Sequence, residues 1–298
     1  GPTISLSGMK QILLICAAVA LVGCGGGDEE AAPKTQAKTD ATPKAKAKPK
    51  VEAKKSEPPK EIPEKLIADL IVEKAIRDIL DKPEGELTEA DVAKVTELNL
   101  DDTKITDVGL KEVVKLKQLD SLKLEDTQIT DVGLKDLAKL QKLEMLYLGY
   151  TQITDAGLKD VAKLKQLEEL RLHKTQITDV GLKELAKLQK LTWLTLDDTK
   201  ITDAGLKEMV KMQQLTNIGL HTTQITDAGL KELAKLQQLE VLDLGLTQIT
   251  DAGLKEVTKI QQLKMLVLDD SNAKITKAGM AKLQKVLPKC KIYSNPTK

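Results

Sequence analysis

His173, Asp197 and His221 stand 24 residues apart in succession, and these are the only two histidines in the chain. Imidazole and carboxylate groups are common zinc ligands. The same pair can also share a proton and tune binding between about pH 5 and 8. The scarce rings lie close by. Phenylalanine is absent, and Tyr147, Tyr150 and Trp193 are three of the four aromatic residues, Tyr293 being the other. Arg171 falls among them, and Met145 precedes them. Aromatic and arginine side chains are the usual anchors of a binding interface. The candidate ligand-binding set is therefore Met145, Tyr147, Tyr150, Arg171, His173, Trp193, Asp197 and His221. His173, Asp197 and His221 are the one candidate metal row, although no metal or other cofactor is assigned. The sequence shows no nucleophile motif, GxSxG turn or phosphate loop, so an enzyme is not expected.

The spacing has meaning only through the elements that carry these residues. One unit reads LDSLKLEDTQITDVGLKDLAKLQK, from Leu119 to Lys142. Leu122 and Leu124 alternate as in a strand, then Asp126 and Thr127 break the alternation. Leu134, Leu137 and Leu140 recur at helical spacing. Thr130 or Asp131 can cap the helix by accepting a bond from an unpaired N–H of its first turn. Gly133 offers a position without a side chain, where a neighbouring coil can come close. Such a unit cannot bury both apolar faces alone. Units begin at Val95, Leu119, Leu143, Leu167, Leu191, Leu215, Leu239 and Leu263. A fixed period of this length predicts a solenoid, in which each unit covers the next.

The pattern LxxLxLxxTxIT, continued by TDxGLK at Thr130–Lys135, Thr154–Lys159 and Thr178–Lys183, resembles the leucine-rich repeat of bacterial secreted proteins. The resemblance implies an α/β fold, a horseshoe-like solenoid of about eight strand–turn–helix units. It also implies that residues between the inward leucines line a concave strand face. The third positions are Glu97, Ser121, Met145, Glu169, Trp193, Asn217, Val241 and Met265. The fifth are Asn99, Lys123, Tyr147, Arg171, Thr195, Gly219, Asp243 and Val267. The seventh are Asp101, Glu125, Gly149, His173, Asp197, His221, Gly245 and Asp269. Adjacent strands lie about 4.8 Å apart, so Tyr147 neighbours Arg171, and the two histidines should stand about 10 Å apart. Asp101, Asp102, Glu125 and Asp126 form an acidic strip, read first as solvated turn residues and second as a receiver for a basic partner or Ca²⁺. The threonine at Thr103 and its equivalents through Thr247 should bond turn backbone.

With 46 basic against 45 acidic residues the chain is nearly neutral, which gives no global field for nucleic acid. Residues 1–8 read as a scar or misplaced start. Residues 9–23 hold a short apolar run, too short to span a bilayer, that fits a signal peptide. Leu21–Cys24 (LVGC) resembles a lipobox, which makes Cys24 the expected lipid attachment site. Residues 24–61, rich in Lys, Ala and Pro, lack the apolar content to collapse and are expected to be a disordered tether. Residues 62–94 read as a helical cap: Leu66, Leu70, Ile71, Ala75, Ile76 and Ile79 mark one face, and Thr88 opens a capping-box helix. Val72–Val95 resembles the N-terminal cap of internalin-like repeat proteins. Repeats fill 95–286 and a C-terminal cap fills 287–298, where Cys290 is a packing residue.

Together these features predict a lipid-anchored scaffold of a bacterial cell envelope, periplasmic or at the outer membrane or surface. It would be a monomer recognising a protein, peptide or glycan on the concave face, with the membrane touched only through the lipid. The alternatives are a passive envelope spacer and a zinc-binding or metal-dependent protein using the His/Asp/His row.

Overall fold

The computed structural model describes residues 65–269 and 274–294. The expected signal segment, Cys24 and the tether lie outside the described residues. Nine strands form one parallel sheet in strict sequence order. They are β1 (Glu97–Asn99), β2 (Ser121–Lys123), β3 (Met145–Tyr147), β4 (Glu169–Arg171), β5 (Trp193–Thr195), β6 (Asn217–Gly219), β7 (Val241–Asp243), β8 (Met265–Val267) and β9 (Lys291–Tyr293). Each is three residues long with an inward leucine or isoleucine at its centre. The register sets Leu98 on Leu122 on Leu146, a step of one 24-residue unit. Between β8 and β9 the step lengthens, Leu266 pairing with Ile292.

The helices α3 (Asp107–Val113), α4 (Asp131–Leu137), α5 (Asp155–Val161), α6 (Asp179–Leu185), α7 (Asp203–Met209) and α8 (Asp227–Leu233) return the chain after each strand. The shorter α9 (Leu254–Val257) and the longer α10 (Lys277–Val286) follow. In α4, Gly133, Leu134 and Leu137 are buried, and the same three positions repeat through α8. Helix leucines and strand leucines meet in one continuous core. No unit could stabilise itself alone, because its buried face is half of a shared interface.

A polar ladder ties coil to coil beside this core. The aspartate that opens each of the helices α3 to α8, and Asp251 ahead of α9, reaches into the next unit rather than capping its own. Asp107 accepts the N–H of Thr130 at 2.9 Å and its hydroxyl at 2.6 Å. The same pair of bonds recurs six more times, ending with Asp251 and Thr276. Thr130 meanwhile accepts from the N–H of Val132 in its own helix. The sequence left the cap open between Thr130 and Asp131, and the fold assigns the two residues different duties. Gly133 is required by the same device. A Cβ there would lie 2.5 Å from the Asp107 carboxylate and 2.7 Å from a methyl of Leu110.

The N-terminal end is covered by α1 (Leu70–Leu80) and α2 (Glu89–Val92). Asp69 caps α1 by accepting from Ile71 and Val72, and α1 packs on α3 and β1. The expected apolar face of α1 needs correction. Val72 and Ile76 are buried, but Leu70 and Ile79 are largely exposed. Because Asp69 sets the first turn, Leu66 and Ile67 precede the helix, and the face that meets the core runs through Val72, Ala75, Ile76 and Leu80. The capping box of α2 is present as expected: Thr88 accepts from Asp91 N–H, and the Asp91 carboxylate accepts from Thr88 N–H. At the other end Cys290 is buried and β9 is the last strand. Among the described residues no helix is long and apolar enough to cross a membrane.

Candidate functional site

The third, fifth and seventh residues of successive units form one wall on the outer side of the strand ladder. Two devices hold its lower edge. The Thr103 hydroxyl donates to Leu100 C=O at 2.7 Å, and six further threonines through Thr247 repeat the bond. The residue before each of these threonines takes a positive φ: Asp102, Asp126, Tyr150, Lys174, Asp198, Thr222 and Leu246 lie between 52° and 58°. That turn lets each N–H continue the ladder, as Tyr150 N–H does to His173 C=O at 3.0 Å. None of these positions is glycine, so the ladder is kept at a cost in backbone strain.

The aromatic set is brought together on this wall. The pairing places Tyr147 beside Arg171 and Arg171 beside Thr195, with Glu169 beside Trp193. The Arg171 guanidinium lies 3.9 Å from the Tyr147 ring centroid and 5.7 Å from that of Trp193. Its Nε donates to Glu169 Oε1 at 2.9 Å, and Nη2 is 2.8 Å from the same oxygen but outside hydrogen-bonding geometry. Lys123 approaches the Tyr147 ring at 5.5 Å. Covered by these cations, Tyr147 is only 3% exposed. It was expected to be an exposed anchor, and it is instead the floor beneath Arg171. Met145 and Trp193 remain partly exposed. Tyr150 is half exposed at the wall's edge, with its ring edge-on to His173 at 5.1 Å and Lys174 over it at 4.6 Å.

The row His173, Asp197 and His221 does not converge. His173 leans towards earlier units, over Gly149, with Nδ1 3.9 Å from Glu125. His221 leans towards later units, over Gly245, with Nδ1 3.7 Å from Asp243. Asp197 lies over Gly219 and accepts the backbone N–H of His221 at 2.8 Å. Each of the three occupies space that a glycine of an adjacent unit leaves open. The ~10 Å expected between histidines assumed parallel side chains, whereas these splay apart. Among the described residues no three His, Cys, Asp or Glu side chains are gathered to hold a metal ion.

Their electrostatics also diverge. Burial, with Arg171 and Lys174 adding, pushes His173 down to about 4, which keeps it neutral. The Asp243 carboxylate raises His221 against the opposing effect of burial. Burial, reinforced by Asp243, pushes Asp197 up to about 7 although the His221 N–H favours its charged form. Burial likewise raises Asp101 and Glu125. The acidic strip is thus divided: Asp101 and Glu125 turn into the wall, whereas Asp102 and Asp126 face solvent. Asp101 accepts the Glu125 N–H at 2.8 Å.

The feature that sequence reading missed is a cluster of unmatched polar atoms. Among the described residues, four buried side-chain atoms fall outside hydrogen-bonding geometry: Glu125 Oε1, Tyr147 OH, Arg171 Nη2 and Thr195 Oγ1, of which Tyr147 OH and Arg171 Nη2 still lie against the Glu169 carboxylate. All four belong to this wall, and three are consecutive in one column. Thr195 carried no signal in the sequence, because a threonine in a strand is ordinary.

The family matches and one solved structure agree with the repeat fold. Leucine rich repeat families match at residues 93–153, 141–187 and 235–257. A search of the curated proteins gave no match. Among solved structures, internalin C2 of Listeria monocytogenes is 26% identical over 68% of this chain and 94% of its own, with a TM-score of 0.55. A second Listeria monocytogenes internalin, InlF, is 21% identical over 78% and 92%, with a TM-score of 0.38. A leucine-rich-repeat protein of Leptospira interrogans is 24% identical over 68% and 62%, with a TM-score of 0.48. The chain carries leucine-rich repeats at the matched residues and has the fold of a leucine-rich-repeat solenoid, similar to that of internalin C2.

Proposed function

We propose that the strand wall is a recognition surface for a protein, peptide or glycan, centred on Arg171 and Trp193. The observation that carries this reading is the stacked aromatic–arginine cluster on the strand wall, with the buried Glu125 Oε1 and Thr195 Oγ1 beside it unmatched among the described residues. A buried polar atom left without a partner costs about 1–3 kcal/mol. A passive spacer gains nothing from concentrating that cost in one patch, whereas a binding wall recovers part of it when a partner supplies the missing bonds. The glycines beneath His173, Asp197 and His221 hold those side chains down before any partner arrives, which lowers the ordering cost of binding. The chemistry is that of a scaffold: the wall holds no paired nucleophile and base, and its histidines point apart.

The second part of the proposal is display from a cell envelope. It rests on the LVGC sequence ending at Cys24, with lipid on that thiol and residues 24–61 acting as a spacer. One acyl chain anchors marginally and several anchor firmly. Fatty-acid labelling of the full chain tests this directly: label lost in Cys24→Ala supports it, and label retained there removes it.

Recognition is tested by capture from an envelope extract, with the full chain as bait beside Trp193→Ala and Arg171→Ala. A partner identified by mass spectrometry should be captured by the native wall and lost with either variant. Equal capture by all three would refute the assignment to this surface.

A further inference from the structure

The three wall columns hold seven carboxylates, from Glu97 to Asp269, against two permanent cations, Lys123 and Arg171. Arg171 is paired with Glu169 at 2.8 Å, and its charge, with that of Lys123, also reaches Glu125. The chain as a whole is +1, so this excess is local to one surface. Potentials that match across an interface select partners of opposite sign.

Two places on the wall concentrate the acid. Asp101 and Glu125 are joined through the Glu125 N–H, and Glu125 Oε1 is buried without a hydrogen-bond partner among the described residues. Asp197 lies three units further on, beside His221 and Asp243. Between them, on the middle column, stand Tyr147 and Thr195, 3% and 6% exposed; the Thr195 hydroxyl has no partner among the described residues, whereas the Tyr147 hydroxyl lies against Glu169. Carboxylates alone would be an acidic surface. The buried, unmatched Thr195 hydroxyl between them marks this stretch as shaped for an occupant that brings a donor.

We propose that the occupant is a cationic peptide segment, with one basic side chain received at Glu125 and a second at Asp197. This rests on the reading of the wall as a recognition surface and adds the chemistry of its partner. Three strand spacings separate Glu125 from Asp197, about 14 Å along the ladder. An extended peptide advances about 3.4 Å per residue, so the two basic residues are four positions apart. A backbone N–H of the segment is the natural donor for the Thr195 hydroxyl. Nucleic acid and anionic glycans are disfavoured by the same field.

Trp193 is the only tryptophan in the chain, so its emission reports the wall without a label. The test titrates the full chain with the capped peptide Gly-Lys-Ala-Ala-Ala-Lys-Gly by calorimetry and by Trp193 emission. Peptides with Gln or Glu in place of both lysines are run beside it. The lysine peptide should bind and perturb the emission, more weakly as salt rises. The glutamine peptide should bind at least about tenfold more weakly, and the glutamate peptide not at all. Glu125→Gln and Asp197→Asn should each weaken the lysine peptide by about three- to tenfold. Asp197→Asn keeps an oxygen to accept the His221 N–H, and circular dichroism confirms its fold. Equal binding of the lysine and glutamine peptides, or no effect of the two variants together, overturns the cationic assignment. So does the absence of any binding by the lysine peptide. In each case the recognition surface itself still stands or falls by the Trp193→Ala capture experiment.

Discussion

Removing Asp179 from the middle of the polar ladder should cost far more than removing any carboxylate from the outer helix faces. Asp179 accepts the Thr202 N–H at 2.9 Å and the Thr202 hydroxyl at 2.6 Å. Hydrogen bonds to a charged group contribute about 1.5–3 kcal/mol each, and an N–H left unmatched between coils costs a further share. Partial exposure of the pair reduces these values, so Asp179→Ala should lose about 2–4 kcal/mol. Asp136 provides the control. It pairs with Lys139 at 2.5 Å on the same kind of helix, but the lysine is 59% exposed. Its removal should change stability by less than about 0.5 kcal/mol. Urea denaturation followed by both Trp193 emission and far-ultraviolet circular dichroism measures the difference and tests whether the solenoid melts as one unit. The glycine of the next helix supplies a second readout. A Cβ on Gly205 would meet the Asp179 carboxylate, and Leu182 at 2.8 Å. Gly205→Ala should therefore be less harmful in the Asp179→Ala background, a coupling of about 1 kcal/mol. If Asp179→Ala is as mild as Asp136→Ala, the ladder is decoration and the leucine core alone joins the coils.

Thr222 holds φ at +55° with a β-branched side chain. Thr222→Gly should stabilise the fold by about 0.5–1 kcal/mol, once the greater freedom of glycine in the unfolded chain is set against the relieved strain, and so raise the denaturation midpoint; a lower midpoint would refute the strain argument. Asp197 binds its proton up to about pH 7 in the folded protein against an ordinary value of 3.8. Its contribution to stability is therefore complete below about pH 4 and is lost as pH rises to about 7. His173, at about 4 against 6.5, runs oppositely: its contribution is present above pH 6.5 and is lost as pH falls towards 4. The difference in stability between Asp197→Asn and the parent isolates the first effect. It should grow in favour of the variant between pH 4 and 7, and a flat difference would sink the assignment. Gly149→Ala would push a methyl into the His173 ring, so the imidazole should move outward and its pKa should climb from about 4 towards 6.5. An NMR titration of His173 checks this, and an unmoved value would show that the ring is buried by other means.

Much of the architecture was readable because it repeats. Eight appearances of the same leucine spacing leave one way to bury every unit, and the threonine before each helix and the glycine inside it are local signals with local causes. The cap helix shows where such reading slips. Its apolar residues fit a helical face, but which of them turns inward depends on where Asp69 starts the first turn, and that shifted Leu70 and Ile79 outwards. The column positions of Tyr147, Arg171 and Trp193 followed from the period, so their adjacency was legible. Their exposure was not. Tyr147 is covered because the long side chains of Lys123 and Arg171 fold over it from both sides, and side-chain direction is not encoded in spacing.

The amino-acid sequence by itself determined the period, the parallel order of the strands and which residues share a wall, since all three follow from burying a leucine every few residues in identical coils. Tertiary structure alone decided what that wall is chemically. Glycines at 149, 219 and 245 let His173, Asp197 and His221 lie down in different directions, which broke up the metal row. Packing across four successive units gathered Tyr147 and Arg171 around Glu169 and left Glu125 Oε1 and Thr195 Oγ1 unmatched in the same patch. The physical reason is the same in both cases: period fixes where a Cα stands, but the space left by its neighbours fixes where its side chain goes.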